Sequence, residues 1–256
     1  MRPMQFSLSA PLDRLIAPPP DPARTAFLGA QPYAHRGLHG AGVIENSRAA
    51  FHAAIAKGYG IELDVQAAQG GDPFVFHDWT LERLTEGEGA VRDKVAHELS
   101  ATRLKGTTET IPRLDEVLAL VAERVPVLIE VKANGRRIGG FCLAIRRALE
   151  GYRGPVAVMS FNPEVGRWFH EHAPRVVRGL VVTEEGKKGL RGRIERHVSL
   201  WRAKPDFLAY DIRDLPASFP AAQRARGLAV LTWTVRTAEQ QQRAKPLTDA
   251  IIFERV

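Results

Sequence analysis

Short runs rich in β-branched and aromatic residues recur along the chain at intervals long enough to hold a helix, and this alternation limits the fold more than any other feature. Eight such runs are PYAHRG (32–37), GIELDVQ (60–66), PVLIEVK (126–132), PVAVMSF (155–161), VVRGLVV (176–182), DFLAYDI (206–212), LAVLTWTV (228–235) and DAIIF (249–253). A helical crossover lets successive strands run parallel, and eight parallel strands close a (β/α)8 TIM barrel. The first crossover is explicit. NSRAAFHAAIAKG (46–58) offers Asn46 or Ser47 as N-cap, apolar residues at helical spacing and a terminal glycine.

PFVFHD (73–78) follows GIELDVQ too closely for a crossover helix, so it must return as a β-hairpin through Gln69-Gly70-Gly71-Asp72. That register puts His77 roughly opposite Asp64. A polar insertion at about 79–113, placed beyond a hairpin at the strands' C-terminal end, would lie where it could cover the barrel mouth. The expected organisation is a Pro-rich leader over residues 1–30, then one barrel domain over 31–256 containing that insertion.

The 256 residues include a single cysteine, Cys142, which cannot form an internal disulfide. Proline and charge also interrupt the leader, leaving no secretory apolar stretch, so a reducing cytoplasm is the expected location. No apolar run is long enough to span a bilayer. The excess of 36 Lys and Arg over 29 Asp and Glu favours anionic partners: phosphates, acidic lipid surfaces or nucleic acid.

The polar residues at the strands' C-terminal ends choose among these. There barrel enzymes assemble their sites. The first strand supplies His35 and Arg36, the second Glu62 and Asp64, the hairpin His77, and the third barrel strand Glu130 and Lys132. Spacing of two residues keeps Glu62 with Asp64, and Glu130 with Lys132, on a common face. Three converging carboxylates need a cation, and hard oxygen ligands suit Mg²⁺ or Ca²⁺ better than zinc. Arg36 and Lys132 can then hold a phosphate. Two histidines beside it can divide the proton transfers of phosphodiester cleavage, one deprotonating the nucleophile and one protonating the leaving oxygen. A nucleic-acid-binding module would need no such carboxylates, and no aromatic stacking platform is evident.

AHRG, ENS followed by AF, IELDV, FVFHDWTLERLT, LIEVK, MSF and LTWTV occur in this order between about residues 33 and 253, and the series resembles the glycerophosphodiester phosphodiesterase family. The resemblance implies a barrel, dependence on one Mg²⁺ or Ca²⁺, and hydrolysis of a small-molecule glycerophosphodiester to glycerol 3-phosphate and an alcohol. It implies His35 and His77 as the acid/base pair and Glu62, Asp64 and Glu130 as metal ligands. Arg36 and Lys132 fall on its phosphate-contacting positions, Glu45 and Asn46 on its Glu-Asn pair, and Phe161 and Trp233 on aromatics lining its substrate pocket. The chain departs from the family pattern at Ile44, where proline is frequent, at Gly70, where aspartate is usual, and at Arg236, where asparagine is common. An arginine at the pocket rim would favour an acidic leaving group. The attacking oxygen can be water or the substrate's glycerol hydroxyl, the latter through a cyclic phosphate.

Other readings compete at single residues. Glu45 and Asn46 can equally support or cap the first helix, and Phe161 and Trp233 can be barrel packing. His170-Glu171-His172 does not share a helix face and reads as solvated surface, Cys142 as packing, and GLHGAG (37–42) as a loop without the Lys-Ser/Thr of a P-loop. GKKGLRGRIERHVSLWRAK (186–204) is a cationic amphipathic segment. It reads as a solvated outer helix, with the alternative of peripheral contact to anionic membranes by a lysophospholipase D-type enzyme.

Overall fold

The structure is a computed structural model that describes residues 10–254. Nine strands form one sheet among these residues: β1 (Tyr33–Ala34), β2 (Gly60–Ala67), β3 (Pro73–Val75), β4 (Val127–Val131), β5 (Val156–Ser160), β6 (Val177–Val182), β7 (Phe207–Asp211), β8 (Ala229–Val235) and β9 (Ala250–Phe253). β1 pairs in parallel with both β2 and β9, so the eight parallel strands close into the expected TIM barrel. β3 is the hairpin arm, antiparallel to β2.

Strand alternation sorts the side chains. Ile61, Leu63, Val65, Val127, Ile129, Val131, Val158, Leu180 and Leu208 point outward and share a buried cluster with Phe51, Val117, Ile145 and Phe169 of the surrounding helices. The intervening residues point inward. At the barrel floor these are Tyr33, Leu128, Ala157, Phe207, Leu231 and Ile252. Two glycines make room for the large rings among them. A Cβ on Gly60 would lie 2.5 Å from the Tyr33 ring, and one on Gly179 would lie 2.3 Å from the Phe207 ring. Moving toward the C-terminal ends, the inward positions turn polar: Tyr33 is followed by His35, Gly60 by Glu62 and Asp64, Leu128 by Glu130 and Lys132. The floor is packed and the mouth is chemical.

The first crossover helix is Arg48–Ala56; Ser47, one of the two candidates, caps it by accepting from Ala50 N–H. This frees Asn46 for another task. Residues 10–30, expected as a leader apart from the barrel domain, belong to its outer layer and floor. Helix Ala10–Ile16 packs on helix Leu190–Ala203, and the buried Asp13 carboxylate accepts from Trp201 Nε1 (2.7 Å) and Gln223 Nε2 (2.8 Å), with His197 Nδ1 at 2.9 Å. Leu28, on the turn Ala26–Gly29, joins the apolar floor.

The insertion over 79–113 has its own apolar cluster of Leu81, Val91, Leu99, Leu104 and Ile111, packed on Phe74 and Phe76 of the hairpin. None of the insertion's side chains lines the mouth cavity.

Candidate active site

The mouth holds a cavity of about 420 Å³ lined by His35, Arg36, Glu62, Asp64, His77, Glu130, Lys132, Phe161 and Trp233, with residues of β7, β8 and β9 completing the wall. Every position singled out for the acid/base pair, the ion and the phosphate therefore meets in one space. Pairing aligns Asp64 of β2 with Glu130 of β4. One ligand atom from each of Glu62, Asp64 and Glu130 lies within 4.8 Å of the others.

This acidic group is shaped for a cation. Glu62 Oε2 accepts from the Arg36 backbone N–H at 3.0 Å, while Oε1 is buried without a hydrogen-bond partner. Burial, then the charges of Asp64 and Glu130, push the Glu62 carboxyl well above its usual range. Burial, then the charge of Asp64, raises Glu130 to about 7. Asp64 is also buried, but Lys132 and Arg36 outweigh that and hold it below the ordinary value. An oxygen cluster in which one buried atom is unpartnered and two members resist ionisation fits a divalent ion held by Glu62, Asp64 and Glu130.

The two cations flank the acids. Arg36 Nε is 3.2 Å from Asp64 Oδ2, and Lys132 Nζ is 3.4 Å from Asp64 Oδ1 and 3.3 Å from Glu130 Oε1. Arg36 sits at φ 56°, a left-handed conformation costly for a side-chain-bearing residue. That turn aims its backbone N–H at Glu62.

Each histidine has a carboxylate on one ring nitrogen. Glu254 Oε1 lies 2.5 Å from His35 Nδ1, and Asp78 Oδ1 lies 2.7 Å from His77 Nδ1. Each carboxylate is in turn held by an arginine: Glu254 by Arg236 Nε at 2.7 Å, and Asp78 by Arg83. Burial lowers the pKa of both imidazoles, favouring the neutral ring that can accept a proton. The hairpin reaches this position one residue off the expected register. Phe76 N–H, not His77, meets Asp64 O at 3.0 Å, and the ladder ends at Val75. The chain then leaves the sheet and His77 enters the cavity wall.

Glu45 and Asn46, expected among the substrate contacts, do not line the cavity. Glu45 accepts from Arg36 Nη1 at 2.7 Å and from Arg83. Asn46 Nδ2 donates to Asp64 Oδ2 at 3.0 Å. Both contact residues that do face the cavity, Glu45 through Arg36 and Asn46 through Asp64. Phe161 and Trp233 form an edge-to-face pair with centroids 5.5 Å apart. Phe161 is 45% exposed, which a pure packing role does not require.

Residues outside the expected set complete the site. Glu254, Asp78 and Arg83 hold the histidines. Asp211 and Arg213 line the wall and are ion-paired at 2.6 Å. Inward alternation along DAIIF, continued by one residue, would have found Glu254 beside Ile252. His170 and His172 lie on the outer helix Pro163–His172, far in role from this cluster, and Cys142 is buried with its thiol pushed up to about 12.

A parallel barrel whose mouth gathers an acidic cluster able to hold a metal ion, two cations and two carboxylate-held imidazoles is the framework of a phosphodiester hydrolase. The glycerophosphoryl diester phosphodiesterase family model matches residues 35–256. A glycerophosphodiester phosphodiesterase of Caldanaerobacter subterraneus is 31% identical over 236 residues, covering 86% of this chain and 92% of the relative. Glycerophosphodiester phosphodiesterase 1 of Bos taurus is 25% identical, over 89% of this chain and 80% of its own. Among solved structures, an Oleispira antarctica phosphodiesterase in complex with the product sn-glycerol-3-phosphate aligns with a TM-score of 0.75 at 23% identity, covering 87% of this chain and 92% of that one. The chain belongs to the glycerophosphodiester phosphodiesterase family and is an enzyme of that class.

Proposed function

We propose that the enzyme hydrolyses small glycerophosphodiesters to glycerol 3-phosphate and an alcohol with one Mg²⁺ or Ca²⁺ held by Glu62, Asp64 and Glu130, and with His35 and His77 exchanging the protons. The observation that carries this reading is the convergence of three carboxylates within 4.8 Å, one with a buried unpartnered oxygen, in the cavity that both histidines line. When bound, the ion would supply Lewis-acid stabilisation of charge developing on the phosphoryl oxygens.

The remaining work falls to the chain. Arg36 and Lys132, held in place by Asp64, present donors to the phosphate oxygens. The carboxylates on the two Nδ1 atoms leave each Nε2 for the substrate, so a neutral ring can take a proton from the attacking hydroxyl while the other, starting as the imidazolium beside its carboxylate, gives its Nε2 proton to the departing alkoxide, and the two exchange states over the step. Phe161 and Trp233 offer an apolar wall for carbon-bearing parts of the substrate. The attacking group is water or the glycerol hydroxyl. Single-turnover detection of a cyclic glycerophosphate supports the hydroxyl route, and its absence counts against that route. A cytoplasmic setting suits Cys142, a lone thiol buried in the helical layer. The proposal is tested by metal-supplemented assay of several glycerophosphodiesters, reading glycerol 3-phosphate release.

A second reading, action on lysolipids at a membrane surface, has one observation in its favour. Leu190, Ile194 and Val198 form an exposed stripe at four-residue spacing on the basic helix Leu190–Ala203. Sedimentation with anionic vesicles, together with turnover of a lysophospholipid, would support it. No helix among the described residues is long and apolar enough to cross a membrane.

A further inference from the structure

Glu254 stands at the mouth immediately after β9, fixed by backbone on both sides. Its N–H donates to Val235 O at the end of β8 (2.9 Å), and His35 N–H donates to Phe253 O (2.9 Å). The carboxylate is therefore placed between β8 and β1 by the barrel itself. One oxygen lies 2.5 Å from His35 Nδ1, and the other accepts from Arg236 Nε at 2.7 Å. His39 Nε2 is 3.9 Å from the first oxygen. The side chains of His35 and Glu254 are 10% and 17% exposed, so little water competes for the bond. The other ring nitrogen of His35, Nε2, faces the acidic cluster at 3.9 Å from Glu62.

A neutral imidazole has two tautomers and can turn about its side-chain bonds. An anionic acceptor at Nδ1 selects the Nδ1–H tautomer, fixes the ring plane and leaves the Nε2 lone pair on the opposite side. We propose that Glu254, itself clamped by Arg236, is a positioning residue that sets the tautomer and aim of His35 for proton exchange with the substrate. This rests on the reading of His35 as one of the acid/base pair. In the step, Nε2 gains or loses one proton while Nδ1–H stays bonded to Glu254, which remains ionised throughout. Arg236 acquires a different meaning from the one its sequence position suggests. Its Nε is committed to Glu254, so it serves the imidazole first and the charge of the leaving alcohol second.

The test is a double-mutant cycle on the metal-supplemented full chain, with glycerophosphocholine as substrate, comparing the parent enzyme, Glu254→Gln, Glu254→Asp, His35→Ala and the double variant His35→Ala/Glu254→Gln. Folding is checked by thermal melting and ion binding by titration calorimetry with Mg²⁺. Glu254→Gln should lower kcat at least about ten-fold, as loss of a carboxylate behind a functional histidine does elsewhere, with KM and Mg²⁺ affinity little changed. Glu254→Asp, which keeps the charge on a shorter arm, should recover part of that loss. The double variant should be no slower than His35→Ala alone, because a residue acting through His35 has nothing left to act on. In ¹⁵N-edited spectra, the His35 ring should show the Nδ1–H form in the parent and lose that preference in Glu254→Gln.

An unchanged kcat in a folded Glu254→Gln enzyme overturns the proposal, as does a loss that adds fully to that of His35→Ala or an unchanged His35 tautomer. These outcomes leave the acid/base reading standing if His35→Ala itself is inactive. A fully active His35→Ala enzyme removes both.

Discussion

Lys132 Nζ lies 3.4 Å from Asp64 Oδ1, so the cation proposed to meet the substrate is held by one of the acids proposed to hold the metal. This sharing has an unusual consequence for substitution. Lys132→Met should lower kcat/KM about 10- to 100-fold, the usual worth of a hydrogen bond to a charged group. The same change removes a positive charge beside the acidic cluster and should tighten Mg²⁺ or Ca²⁺ binding. Calorimetry on the variant decides it. Weakened ion binding would mean that Lys132 chiefly orders the carboxylates.

Asp78 links His77 to Arg83, and the hydrogen bond from Arg83, then that from His77, hold its carboxyl down at about 2 instead of 3.8. A folded-state pKa below the unfolded one stabilises the fold above the unfolded value and loses that contribution as pH falls through the folded value. Asp78 should therefore contribute to acid resistance down to pH 3.8 and lose its contribution between 3.8 and about 2. Asp78→Asn should flatten the fall in melting temperature across that window. An identical acid profile in the variant would show that the pair is screened by solvent.

Much of the site was legible because its physics is local. Glu62 with Asp64, and Glu130 with Lys132, share a face by strand alternation alone, and unpaired buried acids demand a cation. The eight apolar runs mark the barrel strands for the same reason. Glu254 escaped because the last apolar run was closed at Phe253, one residue before the polar position that alternation would assign to the mouth. Residues 10–30 escaped for a different reason. Proline and charge make them look like a solvated leader, while the partners that bury Asp13 lie 184 to 210 residues away, beyond any local pattern.

Asp13 gives that distant packing a measurable weight. Asp13→Ala leaves the Trp201 and Gln223 donors without their shared acceptor and should cost about 1–3 kcal/mol in denaturant unfolding. A change within error would show that helix Ala10–Ile16 adds little to the barrel's stability.

Gly179 tests the barrel floor. A Cβ there would meet the Phe207 ring at 2.3 Å, so Gly179→Ala should destabilise the fold by about 1–3 kcal/mol through overpacking. The paired variant Gly179→Ala/Phe207→Leu should recover part of the loss. Equal losses in both would place the strain elsewhere.

In the proposed function a divalent ion would be held by carboxylates from two adjacent strands, with the phosphodiester between two imidazoles. The most direct measurement is turnover of glycerophosphocholine by chelator-treated enzyme, before and after addition of Mg²⁺ or Ca²⁺, alongside the Glu62→Gln variant. Glycerol 3-phosphate release should be lost in EDTA, recover with either ion, and recover markedly less in the variant. Undiminished turnover in EDTA with no protein-bound metal remaining would contradict the proposed role of the ion.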